Sequence, residues 1–133
     1  MPTLFTIIVV AVLLYIFQST FAWKGESMNV QQLKEAWGTS AHRPVGAHLL
    51  DVREPDEFAA GRVPGAVNIP LDQVASRASD LQHFNTIYCI CRSGARSSMA
   101  CKVLEKQLPP SVKLVNIIGG TSAWDSAGYP IEK

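Results

Sequence analysis

The residues best suited to chemistry are a cysteine and two arginines in the segment CRSGARS. Cys91 ends the apolar run 86–91, and the loop after it leads directly into a helix predicted over 93–108. A thiol presented at such a loop meets unpaired N–H groups and the positive end of the helix dipole. Arg92 and Arg96 add two cations there. Both effects favour the thiolate, so we expect Cys91 to have a lowered pKa and to act as a nucleophile.

The same loop is predicted to bind an anion. Gly94 lets the backbone turn inward, so that several N–H groups converge into a nest for negative charge. No acidic residue lies between Asp80 and Glu105, whereas three basic residues do. Because the whole chain has a formal net charge of only +1, this local excess of positive charge indicates an anionic substrate.

The other two cysteines, Cys89 and Cys101, are expected to be structural. Cys89 lies inside an apolar strand, where core packing is favoured over a resolving role toward Cys91. Cys101 shares a predicted helix face with Leu104 and Leu108, which also indicates core packing. A buried apolar thiol is the alternative for Cys91 itself, but two nearby arginines and a glycine at a helix start argue against it.

Composition narrows the possible functions. A length of 133 residues suits one domain. The net charge of +1 and the absence of a run of basic residues argue against nucleic-acid binding. The three cysteines are an odd number and match no usual zinc spacing, so we expect neither a disulfide framework nor a bound metal. The histidines at 42, 48 and 83 show no pattern of partners.

The amino-terminal segment is strongly apolar. Residues 3–23 include no charged side chain, and the first charge in the chain is Lys24. As a helix, this segment would be about 31 Å long, enough to cross a hydrocarbon core of roughly 30 Å. We predict an uncleaved single-pass anchor in contact with lipid through residues 3–23. A secretory signal peptide is the alternative, with a weak cleavage site at residues 20–22, although no Lys or Arg precedes the apolar run.

The placement of positive charge predicts an orientation for this anchor. Lys24, Lys34 and Arg43 all follow the span, and only the terminal amine precedes it. The positive-inside rule therefore predicts a bacterial-type inner membrane with the catalytic domain in the cytoplasm, where a free thiol stays reduced. Cleavage of a signal peptide would instead export the domain to the periplasm. The predicted division is an anchor over 1–23, a linker over 24–28 and a domain over 29–133.

Apolar runs that alternate with amphipathic segments predict an α/β domain, with a parallel sheet and helices on both faces. The predicted strands cover residues 47–52, 66–69, 86–91 and 112–118. Five helices are predicted. The first follows a capping box at Asn29 and Gln32, the second begins at Pro55, the next two cover 71–81 and 93–108, and the last includes Trp124. Ligands of such sheets bind outside the carboxyl ends of the strands, where Cys91 lies.

Three ordered motifs make residues 28–133 resemble the rhodanese family. They are LLDVREPDEFAAGRVPGAVNIP at 49–70, the CRSGARS loop, and GGTSAWDSAGYPI at 119–131. One departure is Arg62, where the family more often has histidine. The resemblance implies a rhodanese-like α/β domain, here preceded by one transmembrane helix. It also implies that Cys91 matches the persulfide-forming cysteine. The loop residues that match the family's anion cradle are Arg92, Ser93, Gly94, Ala95 and Arg96.

The activity implied by this resemblance is that of a thiosulfate sulfurtransferase without a metal or organic cofactor. Its donor would be thiosulfate or a protein persulfide, and its acceptor a thiol or cyanide. The resemblance also implies that Asp51 braces the active loop; a plain ion pair with Arg53 is the alternative. A phosphatase is a rival function, but its cradle has five residues between cysteine and arginine, and four lie here. A binding scaffold is a second rival, disfavoured by the intact cysteine loop.

Overall fold

The computed structural model, in which residues 1–16 and 22–133 are described, alternates strands and helices along the chain. The helices are α1 (Leu4–Phe21), α2 (Val30–Trp37), α3 (Pro55–Ala60), α4 (Leu71–Arg77), α5 (Ala95–Gln107) and α6 (Gly120–Ser126). The strands are β1 (Glu26–Met28), β2 (Ala47–Asp51), β3 (Val67–Asn68), β4 (Thr86–Ile90) and β5 (Lys113–Ile117). A short 3-10 helix, Ala78–Leu81, follows α4.

The strands form one parallel sheet with the spatial order β1-β5-β4-β2-β3. The strand that leads into the cysteine loop, β4, is therefore central, with β5 on one side and β2 on the other. In this register Cys89 of β4 lies opposite Leu50 of β2 and Asn116 of β5. The carboxyl ends of the three strands meet at one edge of the sheet, which confirms the predicted parallel α/β architecture.

Side chains of β4 alternate between two buried clusters. Ile87 and Cys89 face a cluster that α4 and α5 cover, and Tyr88 and Ile90 face a cluster that α2 and α6 cover. A central parallel strand is buried on both faces, which explains its continuous apolar sequence. Cys89 and Cys101 are both fully buried in the first cluster, as predicted.

Most predicted boundaries hold because local signals set them. Asn29 accepts a hydrogen bond from the N–H of Gln32 at 2.9 Å, and Gln32 Oε1 accepts from the N–H of Asn29 at 2.8 Å, completing the predicted capping box before α2. Two segments differ. Residues 24–28, predicted as a linker, contain β1, which adds an edge strand to the sheet beside β5. The helix predicted over 71–81 tightens after Arg77 into the 3-10 helix.

The predicted membrane anchor is not supported. The apolar segment lies in helix α1, which has 18 residues. Within residues 1–16 and 22–133, no helix is both long and apolar enough to cross a membrane. This finding contradicts the predicted inner-membrane location, and the predicted lipid contact through residues 3–23 loses its support with it.

We predict that the contact of α5 with the sheet is a main source of stability. Leu104 is fully buried in the cluster between α5 and the sheet. Leu104→Ala should therefore lower the free energy of unfolding by about 2 to 5 kcal/mol, since it removes buried methyl groups and leaves a cavity. Urea titration measures the change. Lys106→Ala, an exposed position on the same helix, is the control and should change stability by less than about 0.5 kcal/mol. Equal effects of the two would contradict the packing.

Candidate active site

Cys91 follows β4 directly, and its loop turns back so that backbone N–H groups face the sulfur. The N–H of Gly94 lies 3.1 Å from Cys91 Sγ. Gly94 has a φ of 113°, a left-handed conformation that side chains rarely adopt, and it packs against the backbone of Ile117 and Ile118. The inward turn predicted from Gly94 is thus present. It directs the N–H of Gly94 at the sulfur of Cys91.

The start of α6 holds this loop from the other side. Thr121 donates its N–H and its hydroxyl to the carbonyl oxygen of Cys91 at 2.8 and 3.1 Å. The N–H of Ser122 donates to the carbonyl oxygen of Arg92 at 3.0 Å. Gly120 has a φ of 56°, and a Cβ there would overlap the carbonyl oxygen of Cys91. Because the loop carbonyls point toward α6, the loop N–H groups remain available to the sulfur.

Cys91 is more buried than its predicted position at the loop suggests. It is 1% exposed and belongs to the cluster under α5. Burial raises the pKa of the Cys91 thiol, but hydrogen bonds from the Ser97 hydroxyl and from the N–H groups of Ser97, Gly94 and Ser93 together outweigh it, and the pKa is lowered. The direction agrees with the sequence analysis. The pKa is lowered by hydrogen bonds to the sulfur, whereas the sequence analysis expected a direct contribution from the charges of the two arginines.

A buried polar chain that sequence analysis missed runs from the sulfur to β5. Ser97 Oγ lies 3.4 Å from Cys91 Sγ and donates to Asn116 Oδ1 at 2.6 Å. Asn116 Nδ2 in turn donates to the carbonyl oxygen of Gly94 at 3.3 Å. The available signal was Asn116 itself, a lone amide in the apolar run VKLVNII. A buried amide needs partners, and here they belong to the cysteine loop.

Arg96 is held by a carboxylate that sequence analysis also missed. Its Nη1 and Nη2 lie 2.6 and 3.0 Å from Oε1 and Oε2 of Glu57 in α3. This two-point contact with Arg96 lowers the pKa of Glu57 to about 2. Glu57 Oε1 also accepts a hydrogen bond from the N–H of Glu54 at 3.2 Å. The guanidinium predicted to cradle an anion therefore already binds one inside the protein.

Asp51 forms the ion pair that was the alternative to its predicted bracing role. It is fully buried, and Arg53, 5% exposed, donates to it through Nη2 at 2.8 Å and Nε at 3.0 Å. The other donors of Arg53 bind the carbonyl oxygens of Glu57 at 3.2 Å and Gly61 at 2.8 Å. The pair thus fixes the backbone of α3, and its link to the active loop runs through Glu57 and Arg96.

An open cleft of about 500 Å³ lies beside the loop. Its polar lining includes Arg53, Glu57, Arg92, Thr121, Asp125 and Lys133. Arg92 is exposed there, and within the described part of the chain its guanidinium has no hydrogen-bond or ion-pair partner. Elsewhere in the loop, Ser93 and Ala95 are exposed and Gly94 is partly buried. In residues 1–16 and 22–133, no group of His, Cys, Asp and Glu side chains is arranged to hold a metal ion.

Comparison with known proteins gives a consistent picture. Residues 29–127 match the model of the rhodanese-like domain family. A relative in Bacillus subtilis, YrkF, which is named provisionally as a sulfur carrier protein, is 38% identical over 90 residues. These are 68% of this chain and 48% of YrkF, so the chain spans about half the length of that relative. A sulfurtransferase of Allochromatium vinosum is 37% identical over 83 residues, 62% of this chain and 76% of that protein.

The fold is also similar to solved structures. The crystal structure of a rhodanese-related protein from Thermoplasma volcanium superposes with a TM-score of 0.68 and 28% sequence identity. The similarity covers 80% of this chain and 97% of that one.

We predict that the pair between Glu57 and Arg96 stabilises the protein only where Glu57 is ionised. Its folded pKa of about 2 lies below the ordinary value of 4.5, so the stabilisation is complete above about pH 5 and disappears as the pH falls toward 2. Glu57→Gln should therefore lower the free energy of unfolding at pH 7 by about 1 to 2 kcal/mol, after allowance for solvent screening. Urea titrations at pH 7 and pH 3 measure the difference between the two proteins.

The control for this prediction is Asp80→Asn, which removes the exposed pair with Arg77 and should cost less than about 0.5 kcal/mol at either pH. A loss in Glu57→Gln that is as large at pH 3 as at pH 7 would show that the substitution acts through packing and not through charge.

Proposed function

The chain belongs to the rhodanese-like domain family, and on that premise we propose that it transfers sulfane sulfur through a persulfide on Cys91. The observation that carries the proposal is the environment of Cys91 Sγ. The N–H of Gly94 points at the sulfur from 3.1 Å, and hydrogen bonds lower the pKa of the thiol despite its burial. A thiolate is the form of cysteine that attacks sulfur.

The proposed reaction has two steps. In the first, the Cys91 thiolate attacks the outer sulfur of a donor such as thiosulfate. A new bond forms between Sγ and that sulfur, the sulfur–sulfur bond of the donor breaks, and its electron pair leaves on sulfite. In the second, a thiolate or cyanide attacks the outer sulfur of the persulfide. The bond to Sγ then breaks, and its electron pair returns Cys91 to the thiolate.

The negative charge of donor and persulfide is proposed to lie against the loop formed by residues 92–96. Its N–H groups face the sulfur, and Arg92 offers an exposed guanidinium with no internal partner in the described structure. Arg96 belongs to the same cradle, but Glu57 already occupies its two terminal nitrogens. We therefore assign the larger share of anion binding to Arg92. The proposed donors are thiosulfate or a protein persulfide, and the proposed acceptors are a thiol or cyanide.

The central test is whether Cys91 carries the sulfur. After incubation with thiosulfate, the intact mass should rise by about 32 Da and return on treatment with dithiothreitol. Cys91→Ser should abolish both this mass shift and the turnover of thiosulfate with cyanide, because an alcohol at that position cannot form a persulfide.

Cys101→Ser is the matched control, since Cys101 is fully buried away from the loop. It should lower stability by about 1 kcal/mol or more and keep the mass shift. Sulfur loading or turnover at the wild-type level in Cys91→Ser would overturn the proposal. Circular dichroism of both variants checks that the fold is kept, because Cys91 is itself buried.

A second test concerns recognition of the anion. Arg92→Ala should raise the KM for thiosulfate about tenfold, because it removes a charge-assisted contact, and should leave the KM for an uncharged sulfur donor nearly unchanged. Steady-state kinetics with both donors measure the ratio. Arg77→Ala removes the same charge from an exposed site outside the cleft and should leave both constants unchanged. An equal rise for both donors in Arg92→Ala would mean that Arg92 shapes the loop and does not bind the anion.

A further inference from the structure

The hydroxyl of Ser97 faces two acceptors and has one hydrogen to donate. Its Oγ lies 2.6 Å from Asn116 Oδ1 and 3.4 Å from Cys91 Sγ. Ser97 is fully buried and Asn116 is 7% exposed, so bulk water does not replace either partner. A hydroxyl carries one donor hydrogen, and it therefore serves the amide or the sulfur, but not both at once.

The contact with Gly94 determines which end of the Asn116 amide faces Ser97. The carbonyl oxygen of Gly94 only accepts hydrogen bonds, so the amide presents Nδ2 to it, at 3.3 Å. The acceptor Oδ1 is thereby directed at Ser97. When Cys91 is a thiol, each donor has an acceptor, because the S–H group donates to Ser97 Oγ and the Ser97 hydroxyl donates to Asn116 Oδ1.

Loss of the thiol proton changes this arrangement. The thiolate has no hydrogen to offer and becomes a charged acceptor, for which a hydroxyl forms a stronger hydrogen bond than for a neutral amide. The Ser97 hydroxyl therefore rotates about its Cβ–Oγ bond toward the sulfur. Asn116 Oδ1 then loses its buried donor, which costs free energy. Ser97 thus favours the thiolate, and Asn116 opposes it.

We propose that Asn116 is a positioning residue that controls the ionisation of Cys91 through Ser97, by competing with the sulfur for the hydroxyl hydrogen. The consequence for catalysis rests on the proposed function. While Cys91 carries the outer sulfur, Sγ has no charge, and the hydroxyl stays on Asn116. When the acceptor takes that sulfur, the electron pair of the broken bond remains on Sγ, and the hydroxyl turns to stabilise the departing thiolate.

Other titratable and charged groups surround this site, but they act on Cys91 by a different route. They are Arg92 in the loop, Arg96 on α5, Glu57 on α3, Asp51 and Arg53 at and after the end of β2, and Cys89 on β4. Within the described residues, the side chains of this group form no hydrogen bond with the side chains of Ser97 or Asn116. Substitution of Asn116 therefore tests the hydroxyl without removing any of these charges.

The experiment is the pH profile of Cys91 alkylation by iodoacetamide, with peptide mapping to separate the reaction of Cys91 from any reaction of Cys89 or Cys101. Ser97→Ala should move the midpoint to higher pH and slow alkylation about tenfold at a fixed pH below it. Asn116→Val, which suits a strand and cannot accept a hydrogen bond, should move the midpoint to lower pH and speed alkylation several-fold. The double variant should match Ser97→Ala alone.

The double variant separates this mechanism from a purely structural role. If Asn116→Val changes the midpoint equally with and without the Ser97 hydroxyl, Asn116 acts by holding Gly94, and the proposal is overturned. A slower or unchanged reaction of the single Asn116→Val variant overturns it too. Asn116→Ala replaces Asn116→Val if thermal melts show that the latter does not fold, with the same expected directions. Ser97→Thr keeps a hydroxyl and should keep the wild-type midpoint.

Alkylation reads the thiol directly and requires no sulfur transfer. Absence of the 32 Da mass shift would therefore refute the proposed function and leave this test intact. A normal mass shift together with no effect of Asn116→Val on the alkylation profile would refute the present inference and leave the proposed function standing.

Discussion

The geometry of the candidate active site depends on the contact between the N–H of Gly94 and Cys91 Sγ, because this contact requires the loop backbone to turn inward. That turn costs conformational freedom and would leave carbonyl groups without partners. Thr121 and Ser122 at the start of α6 donate hydrogen bonds to these carbonyl oxygens and so stabilise the turn. The closing segment of the domain is therefore part of the site, since it turns the carbonyl oxygens outward and leaves the N–H groups to the sulfur.

Charge is arranged in pairs that hold this loop in place. The buried pair of Asp51 with Arg53 fixes the backbone of α3, and Glu57 of α3 holds Arg96 in the first turn of α5. A guanidinium near a helix amino terminus is unfavourable alone, because the helix dipole is positive there. The carboxylate of Glu57 offsets that repulsion. Arg92, by contrast, is exposed and lines the cleft beside the loop.

Burial and hydrogen bonding act in opposite directions on the pKa of Cys91. A thiol that is 1% exposed would ordinarily resist ionisation, yet donors from the loop and from Ser97 lower its pKa. In our proposal, the hydrogen bonds from Cys91 through Ser97 to Asn116 let a residue of β5 influence the pKa of Cys91 without placing another charge at the sulfur.

Sequence alone determined the features that depend on near neighbours. The capping box of Asn29 with Gln32, the continuous apolar strand β4 and the cysteine at a helix start are all encoded within a few residues. The predicted inner-membrane location was wrong, because no helix within residues 1–16 and 22–133 is both long and apolar enough to cross a membrane. The contacts of Glu57 with Arg96 and of Ser97 with Asn116 join residues separated by 39 and 19 positions. Only the tertiary structure decided them, because parallel strands bring distant loops to one edge of the sheet, and no local pattern records which side chains meet there.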